Sequence, residues 1–292
     1  MSSAILPPQN LELASKICNF ATKVAKLLHL GKKKKRVSFV LHSIFCNFAA
    51  VFLQHQNHTK MKKLITVAFM AFLSLVSYAQ DDWANFGRYE QDNREVKATP
   101  NDGRRVVFIG NSITQNWRSM RPQFFTDHGF IPRGISGQTS YQMLLRFRED
   151  VLSLNPKVVV INAGTNDIAQ NNHRYVEDRT FGNIVGMCQL AKAAKVKVIL
   201  TTITPCGLYP WRREIKDVPR KIESLNARLR DYAKQNKIAF VDYFTPMAID
   251  SGEKKGSMKE GLSSDGCHPT DAGYAIMEPL ILQAIRKIVK VK

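Results

Sequence analysis

Four short apolar runs recur along the last two thirds of the chain, three of them closed by a glycine or a proline. They are Arg105 to Ile109 (RVVFI, ended by Gly110), Lys157 to Ala163 (KVVVINA, ended by Gly164), Val196 to Ile203 (VKVILTTI, before Pro205) and Ile238 to Tyr243 (IAFVDY). Continuous runs of this length, rich in β-branched residues, predict strands buried on both faces, as in a parallel sheet. Phe130 to Ile135 (FIPRGI) is a weaker candidate, broken by Pro132. Between the runs the apolar positions change to steps of three and four. Met143, Leu144, Phe147, Val151 and Leu154 follow that rule within 140–154, and 180–194, 219–235 and 271–291 do the same. Strand–helix alternation of this kind predicts an α/β chain built of right-handed βαβ units, folded as a three-layer α/β/α sandwich. No internal repeat or low-complexity tract interrupts it, and 252–261 (GEKKGSMKEG) reads as a polar loop.

A different pattern occupies 61–80 (MKKLITVAFMAFLSLVSYAQ). Lys62 and Lys63 form a charged start, Leu64 to Val76 an apolar stretch, and Ser77 and Ala79 are small residues at the positions a signal peptidase reads. We therefore expect 61–79 to be a signal peptide, Met61 to be the true start, and 1–60 to be a mis-called upstream extension. Were 1–60 real, Lys32 to Arg36 followed by Val37 to Leu53 would resemble a cytoplasmic anchor at the short edge of a membrane span. No cysteine follows Ala79 to carry a lipid, so the expected product is a chain of residues 80–292, one domain, released to the periplasm or the medium without stable membrane insertion.

Charge refines this picture. The 292 residues carry 43 Lys+Arg and 24 Asp+Glu, a formal net of +19, and 44% of them are hydrophobic, which excludes a disordered chain. Residues 1–60 hold nine of the basic residues and one acid, so the excess that would suggest a nucleic-acid partner sits largely outside the expected mature domain. The remaining +9 of 80–292 reads as solvated surface charge rather than as an affinity for acidic glycans. Of five cysteines, Cys188, Cys206 and Cys267 follow Ala79, and neither a CxxC pair nor a zinc-ligand spacing appears.

In a parallel α/β sheet, ligands bind at the carboxyl ends of the strands. The segments just after each run are therefore the informative ones. After the first stand Gly110-Asn111-Ser112, where Ser112 is either a helix N-cap or an exposed hydroxyl beside its own N–H. After the weak run comes Gly137, either an ordinary turn or a place where backbone approaches a ligand. After the next comes Gly164-Thr165-Asn166-Asp167, where Asn166 is either a turn former or an amide donor. Before the last helical stretch stand Asp265-Gly266-Cys267-His268-Pro269. Gly266 lets the Asp265 carboxylate curl toward the His268 ring, and Pro269 holds His268 out of the helix. His128 and His173 lack such a local carboxylate and read as surface or core filler. Taken together, the order Ser112, Asp265, His268 supplies a nucleophile, an orienting carboxylate and a base. The N–H groups of Ser112 and Gly137 and the Asn166 amide supply an oxyanion hole.

The four blocks resemble the SGNH (GDSL-like) hydrolase family over about residues 104–290. GISGQTS, VVVINAGTNDIAQ and SDGCHPTDAGY look particularly like bacterial secreted members near the platelet-activating-factor acetylhydrolase-like branch. The resemblance implies a flavodoxin-like, five-stranded parallel sheet, ester hydrolysis with neither metal nor cofactor, and the roles just given for Ser112, Gly137, Asn166, Asp265 and His268. One departure is Asn111, where the family usually carries Asp. The G-x-S-x-G elbow of α/β-hydrolases is absent, as are a phosphate loop and a dinucleotide fingerprint.

The expected function is a secreted serine esterase that removes small acyl groups, acetyl above all, from a carbohydrate or similar alcohol. A lysophospholipase or thioesterase acting on longer chains is the second reading, though no extended apolar lid is evident. A non-catalytic glycan-binding protein is the third. Two further expectations concern the strand ends. Cys206 and Cys267 should face each other there, either bridged or as two free small hydrophobes. Trp117, Tyr141, Tyr209 and Trp211 lie near the block loops, either as stacking platforms for a sugar or aromatic group or as core.

Overall fold

The computed structural model describes residues 82–291; the expected extension (1–60) and signal segment (61–79) lie outside the described residues. Five parallel strands, β1 (Val106–Gly110), β2 (Phe130–Gly134), β3 (Val158–Ile161), β4 (Lys197–Thr201) and β5 (Ala239–Val241), form one sheet in the order β2-β1-β3-β4-β5. This is the flavodoxin-like order, in which the chain reverses direction of growth between β1 and β3 and opens a crevice there.

The strands alternate faces with period two. Val107, Ile109, Val159, Ile161, Val198 and Leu200 enter one apolar core and Val106, Phe108, Val158, Val160, Ile199 and Val241 the other. The helices, in chain order, are α1 (Glu90–Ala98), α2 (Ser112–Met120), α3 (Pro122–His128), α4 (Ser140–Asp150), α5 (Thr165–Ile168), α6 (Glu177–Ala193), α7 (Val218–Gln235), α8 (Phe244–Met247) and α9 (Asp271–Arg286). The apolar stripes of α4, α6 and α7 (Met143, Phe147, Ile184, Met187, Ile222, Leu225) fill the first core; those of α2, α3 and α9 (Trp117, Phe124, Phe125, Tyr274, Met277, Ile281) fill the second. The sandwich is thus three-layered, as the sequence pattern predicts.

Several elements differ from expectation for identifiable reasons. Pro132 sits inside β2 opposite Phe108. It is tolerated because β2 is an edge strand with β1 as its single neighbour. The helix expected over 140–154 ends at Asp150 and gives way to a 3-10 turn at Leu152–Leu154 before Asn155 at φ +50°. The last helix stops at Arg286 and accommodates Pro279 within it. Helix α1 has no apolar stripe to announce it, its one buried residue being Asn93.

A candidate active site at the carboxyl ends of the strands

Residues 112 and 268 are brought together by the packing of α9 on α2 and α3. Trp117 stacks between Phe124 (4.9 Å between centroids) and Tyr274 (5.4 Å). Such aromatic pairs contribute about 0.5–1.5 kcal/mol each beyond their buried area. The Tyr274 hydroxyl donates to the Ile113 carbonyl at 2.8 Å, which joins α9 to the first turn of α2. Arg121 adds a charged clamp, donating to Glu278 (2.6 Å) and to Asp271 (2.9 Å) on α9.

With the two elements fixed, Ser112 Oγ lies 2.9 Å from His268 Nε2, and His268 Nδ1 lies 2.6 Å from Asp265 Oδ2. The other oxygen, Asp265 Oδ1, accepts the backbone N–H groups of Cys267 (2.9 Å) and His268 (2.8 Å). Gly266 at φ +84° makes this tight curl possible. Burial raises the Asp265 pKa, but these N–H donors and the ring outweigh it and hold the carboxyl below its ordinary value. The group stays ionised, facing the nitrogen opposite the serine. The Ser263 hydroxyl secures the loop by donating to the His268 carbonyl at 2.7 Å.

Two glycines let the serine sit where it does. A Cβ on Gly110 would stand 2.1 Å from Thr114 Oγ1, and one on Gly134 would stand 2.3 Å from the Gln115 nitrogen. The first turn of α2 therefore rests directly on the ends of β1 and β2. Asn111 accepts the Ile113 N–H at 2.9 Å and so caps α2 through its carbonyl oxygen, a role an aspartate would fill equally. Of the two alternatives for Ser112, N-cap and exposed hydroxyl, the cap belongs to Asn111. Ser112 is the first helical residue, its side chain on His268.

Gly137 and Asn166 come to the same rim. Gly137 has φ +79°, and an added Cβ would meet only Asn171 Nδ2, at an ordinary 4.0 Å, so its glycine is required by backbone conformation rather than by crowding. Asn166 is buried on α5; its Nδ2 donates to the Gln138 carbonyl (2.9 Å), and its Oδ1 accepts from Asn171 Nδ2 (2.9 Å). That acceptance fixes which way the Asn166 amide points and leaves its second N–H unspent. Asn171 also donates to the Gly137 carbonyl (3.3 Å) and accepts from Trp211 Nε1 (3.0 Å). Trp211 closes the circuit, its ring 5.5 Å from that of His268. The arrangement can hold an acyl carbonyl over Ser112 with N–H donors behind its oxygen.

Asn171 and the support beneath the site escape sequence reading. Arg146, fully buried, donates to the Gly110 carbonyl (3.0 Å), to Gln138 Oε1 (2.5 Å) and to Asp150 (2.8 Å). One guanidinium therefore joins the loop that carries Ser112 to the loop that carries Gly137. The segment before α1 lies over the latter, with Gln138 Nε2 donating to the Ala84 carbonyl (2.6 Å) and Gln142 Nε2 to the Trp83 carbonyl (2.8 Å). The only signal for either was a polar residue on an otherwise apolar face of α4.

Other expected features resolve as follows. Cys206 and Cys267 are both buried free thiols, the second of the two alternatives; the Cys206 sulfur beside it, together with burial, pushes the Cys267 thiol well up. Trp117 and Tyr209 are core, and Tyr141 packs on His173 at 4.2 Å. His173 is more than filler. Its Nε2 stands 3.7 Å from Asp167 Oδ1, an ionic approach longer than a hydrogen bond, and the proximity of that carboxylate raises the imidazole pKa. Among the described residues, no three His, Cys, Asp or Glu side chains converge as a metal would require, and no helix is long and apolar enough to cross a membrane.

Known proteins resemble this chain in sequence and fold. A solved GDSL-like lipase from Bacteroides thetaiotaomicron is 56% identical, superposes with a TM-score of 0.69, and aligns over 71% of this chain and 100% of its own. A lipoprotein of Bacillus subtilis, YqeF, is 37% identical over 165 residues, 49% of this chain and 68% of the relative. An acetylxylan esterase of Xylanibacter ruminicola is 25% identical over 229 residues, 66% of this chain; the match spans 45% of that longer protein. The model of the GDSL-like lipase/acylhydrolase family matches residues 108–276, from β1 into α9. The chain belongs to that family and is a hydrolase of carboxylic esters.

Proposed function

We propose that the protein is an exported serine esterase that removes short acyl groups, acetyl above all, from a carbohydrate or similar alcohol. The observation that carries the reading is the continuous hydrogen-bonded line from Ser112 Oγ through His268 to Asp265, at 2.9 and 2.6 Å.

Ser112 Oγ attacks the ester carbonyl while its proton passes to His268 Nε2. Asp265 holds the Nδ1–H tautomer and stabilises the imidazolium. The new oxyanion is received by the N–H groups of Ser112 and Gly137 and by the free N–H of Asn166, each such donor contributing about 3–4 kcal/mol in the transition state. The carbonyl–alkoxy bond then breaks as His268 returns the proton to the leaving oxygen. Water repeats the sequence on the acyl-serine: His268 takes its proton, the acyl–Oγ bond breaks, and Ser112 is reprotonated as the acid leaves.

The acetylxylan esterase relative supports acetyl and a glycan. The lipoprotein relative and the secretory pattern of 61–79 support a location outside the cytoplasm. Ser112→Ala should lower turnover of p-nitrophenyl acetate by about 10⁶, the loss expected of a serine nucleophile. In an acyl series from acetate to decanoate, kcat/KM should peak at the short end. Near-normal hydrolysis by the variant would end the serine reading, and a long-chain optimum would replace acetyl with lipid.

A further inference from the structure

Beside the oxyanion loop lies a groove of about 540 Å³, within the range of ~300–1,000 Å³ common for small-molecule sites. The sequence has three tryptophans; Trp117 is core, and the two exposed ones, Trp83 (48% exposed) and Trp211 (39%), both line this groove. Exposed indoles are costly to leave in water, and two at one polar groove mark a surface that is covered in use.

Apart from Ile135 and Gly137 the remaining lining is polar, and it holds no unpaired cation. Asp82 is occupied by the backbone N–H groups of Phe86 (2.6 Å) and Gly87 (3.1 Å). Arg212 is occupied by Glu214 (2.6 Å) and the Gln170 carbonyl (2.9 Å). Around them stand the side-chain amides of Asn85, Asn171 and Asn172. Asn172 spends Nδ2 on Gln142 (2.5 Å), which leaves its carbonyl oxygen as an acceptor. Indole faces with amides between them match a neutral sugar: the weakly positive C–H face of the ring lies on the electron-rich indole, and hydroxyls pair with amides. An anionic glycan would find no unpaired cation here, despite the net positive charge of the domain.

The direction of the groove follows from the chemistry. His268 must hand its proton to the leaving oxygen, so the alcohol half of the ester lies on the His268 side. Trp211 is the groove residue packed on that ring, at 5.5 Å, and its Nε1 sits on the Asn171 that orients Asn166. We propose that this groove is the leaving-group subsite and binds a neutral pyranose chain, with Trp211 as the platform next to the scissile ester and Trp83 as a second platform further out. The term "leaving-group" rests on the esterase reading above; the binding itself does not.

The test separates the two. The Ser112→Ala protein, which turns nothing over, is titrated calorimetrically with xylohexaose, mannohexaose, cellohexaose, chitohexaose and, as the anionic counterpart, hexagalacturonate. At least one neutral oligosaccharide should bind saturably, at least tenfold tighter than hexagalacturonate. Adding Trp83→Ala or Trp211→Ala should weaken that binding at least tenfold, and both positions are exposed enough that truncation leaves no core cavity. In the active enzyme, Trp83→Ala should cut kcat/KM on the acetylated form of the bound oligosaccharide at least tenfold more than on p-nitrophenyl acetate. The proposal is overturned if no neutral oligosaccharide binds, if the anion binds as tightly, or if neither substitution moves the affinity. A protein with Ser112-dependent esterase activity and no oligosaccharide binding would keep its function and lose the groove. One that binds through Trp83 and Trp211 but lacks Ser112-dependent activity would keep the groove and lose the esterase.

Discussion

One methyl group at Gly134 should cost the protein its reactive geometry more than its fold. The glycine is needed for space: its added Cβ would stand 2.3 Å from the Gln115 nitrogen, 2.7 Å from the Thr114 carbonyl carbon and 2.8 Å from the Asn111 oxygen. All three are backbone atoms of the turn that begins α2, so no side chain can rotate away. Ordinary contact begins near 3.4 Å, and α2 must retreat by about 1 Å. Its far side is held by the Trp117 stack on Phe124 and Tyr274, so the retreat is resisted and Ser112 shifts with the turn. Overpacking of this kind costs about 1–3 kcal/mol, or roughly 2–10 °C in Tm for a domain of this size. A displacement of ~1 Å at a nucleophile costs about 10² in rate. Gly134→Ala should therefore fold, melt somewhat lower, and lose about 10² in kcat/KM on p-nitrophenyl acetate. Gly182 on α6 is the control. It is exposed, nothing lies within 4 Å of an added Cβ, and Gly182→Ala should stabilise by about 1 kcal/mol with unchanged kinetics. Wild-type kinetics and melting in Gly134→Ala would refute the claim that the serine turn rests on β2.

Three further outcomes follow from the same structure. Asp265→Asn should lower kcat by about 10⁴ while leaving KM nearly unchanged, through loss of the Nδ1–H tautomer; because the native carboxyl is held below its ordinary value of 3.8, the stability gap between wild type and variant is full above that pH and closes as pH falls through the lowered value. Full activity in the variant, or a gap that widens in acid, would contradict this. His173 has a raised pKa, so its pairing with Asp167 stabilises fully below the ordinary 6.5 and is lost as pH rises through the raised value; the melting difference between wild type and His173→Ala should be larger near pH ~5.5 than near pH ~9, and the reverse order would exclude the pairing. Arg146→Met should cost about 3–5 kcal/mol in urea unfolding by stranding the buried Asp150 carboxylate, and a loss under about 1 kcal/mol would show that the buried Arg146–Asp150 pair does not stabilise the fold.

The parts of this molecule visible in its sequence are those specified locally. β1 and β3 announce themselves because a strand buried on both faces is apolar along its length, β4 through Val198–Leu200 and the half-buried edge strand β5 through Ala239–Val241, whereas β2 hides behind Pro132, which an edge strand tolerates. Asp265 and His268 are legible as a pair because three residues and a glycine make their own geometry. Ser112 is ambiguous alone, since its local alternative is capping; that role falls to Asn111, a residue notable in sequence for replacing an aspartate. The supports are not legible. Arg146 is a polar residue on an apolar helix face with nothing in the sequence to name its partners at 110, 138 and 150, and Asn171 acquires meaning through Trp211, forty positions away. Helix α1 is held by Asn93 on Asp150 rather than by an apolar stripe, so hydrophobic periodicity passes over it.

The central claim is that Ser112 is the nucleophile, and covalent trapping reads it directly. Incubated with a fluorophosphonate, the protein should gain one adduct, mapped by peptide mass to Ser112, at a rate that falls with Asp265→Asn and vanishes with Ser112→Ala. An adduct on another residue, or an unlabelled protein that still hydrolyses p-nitrophenyl acetate, would contradict the account.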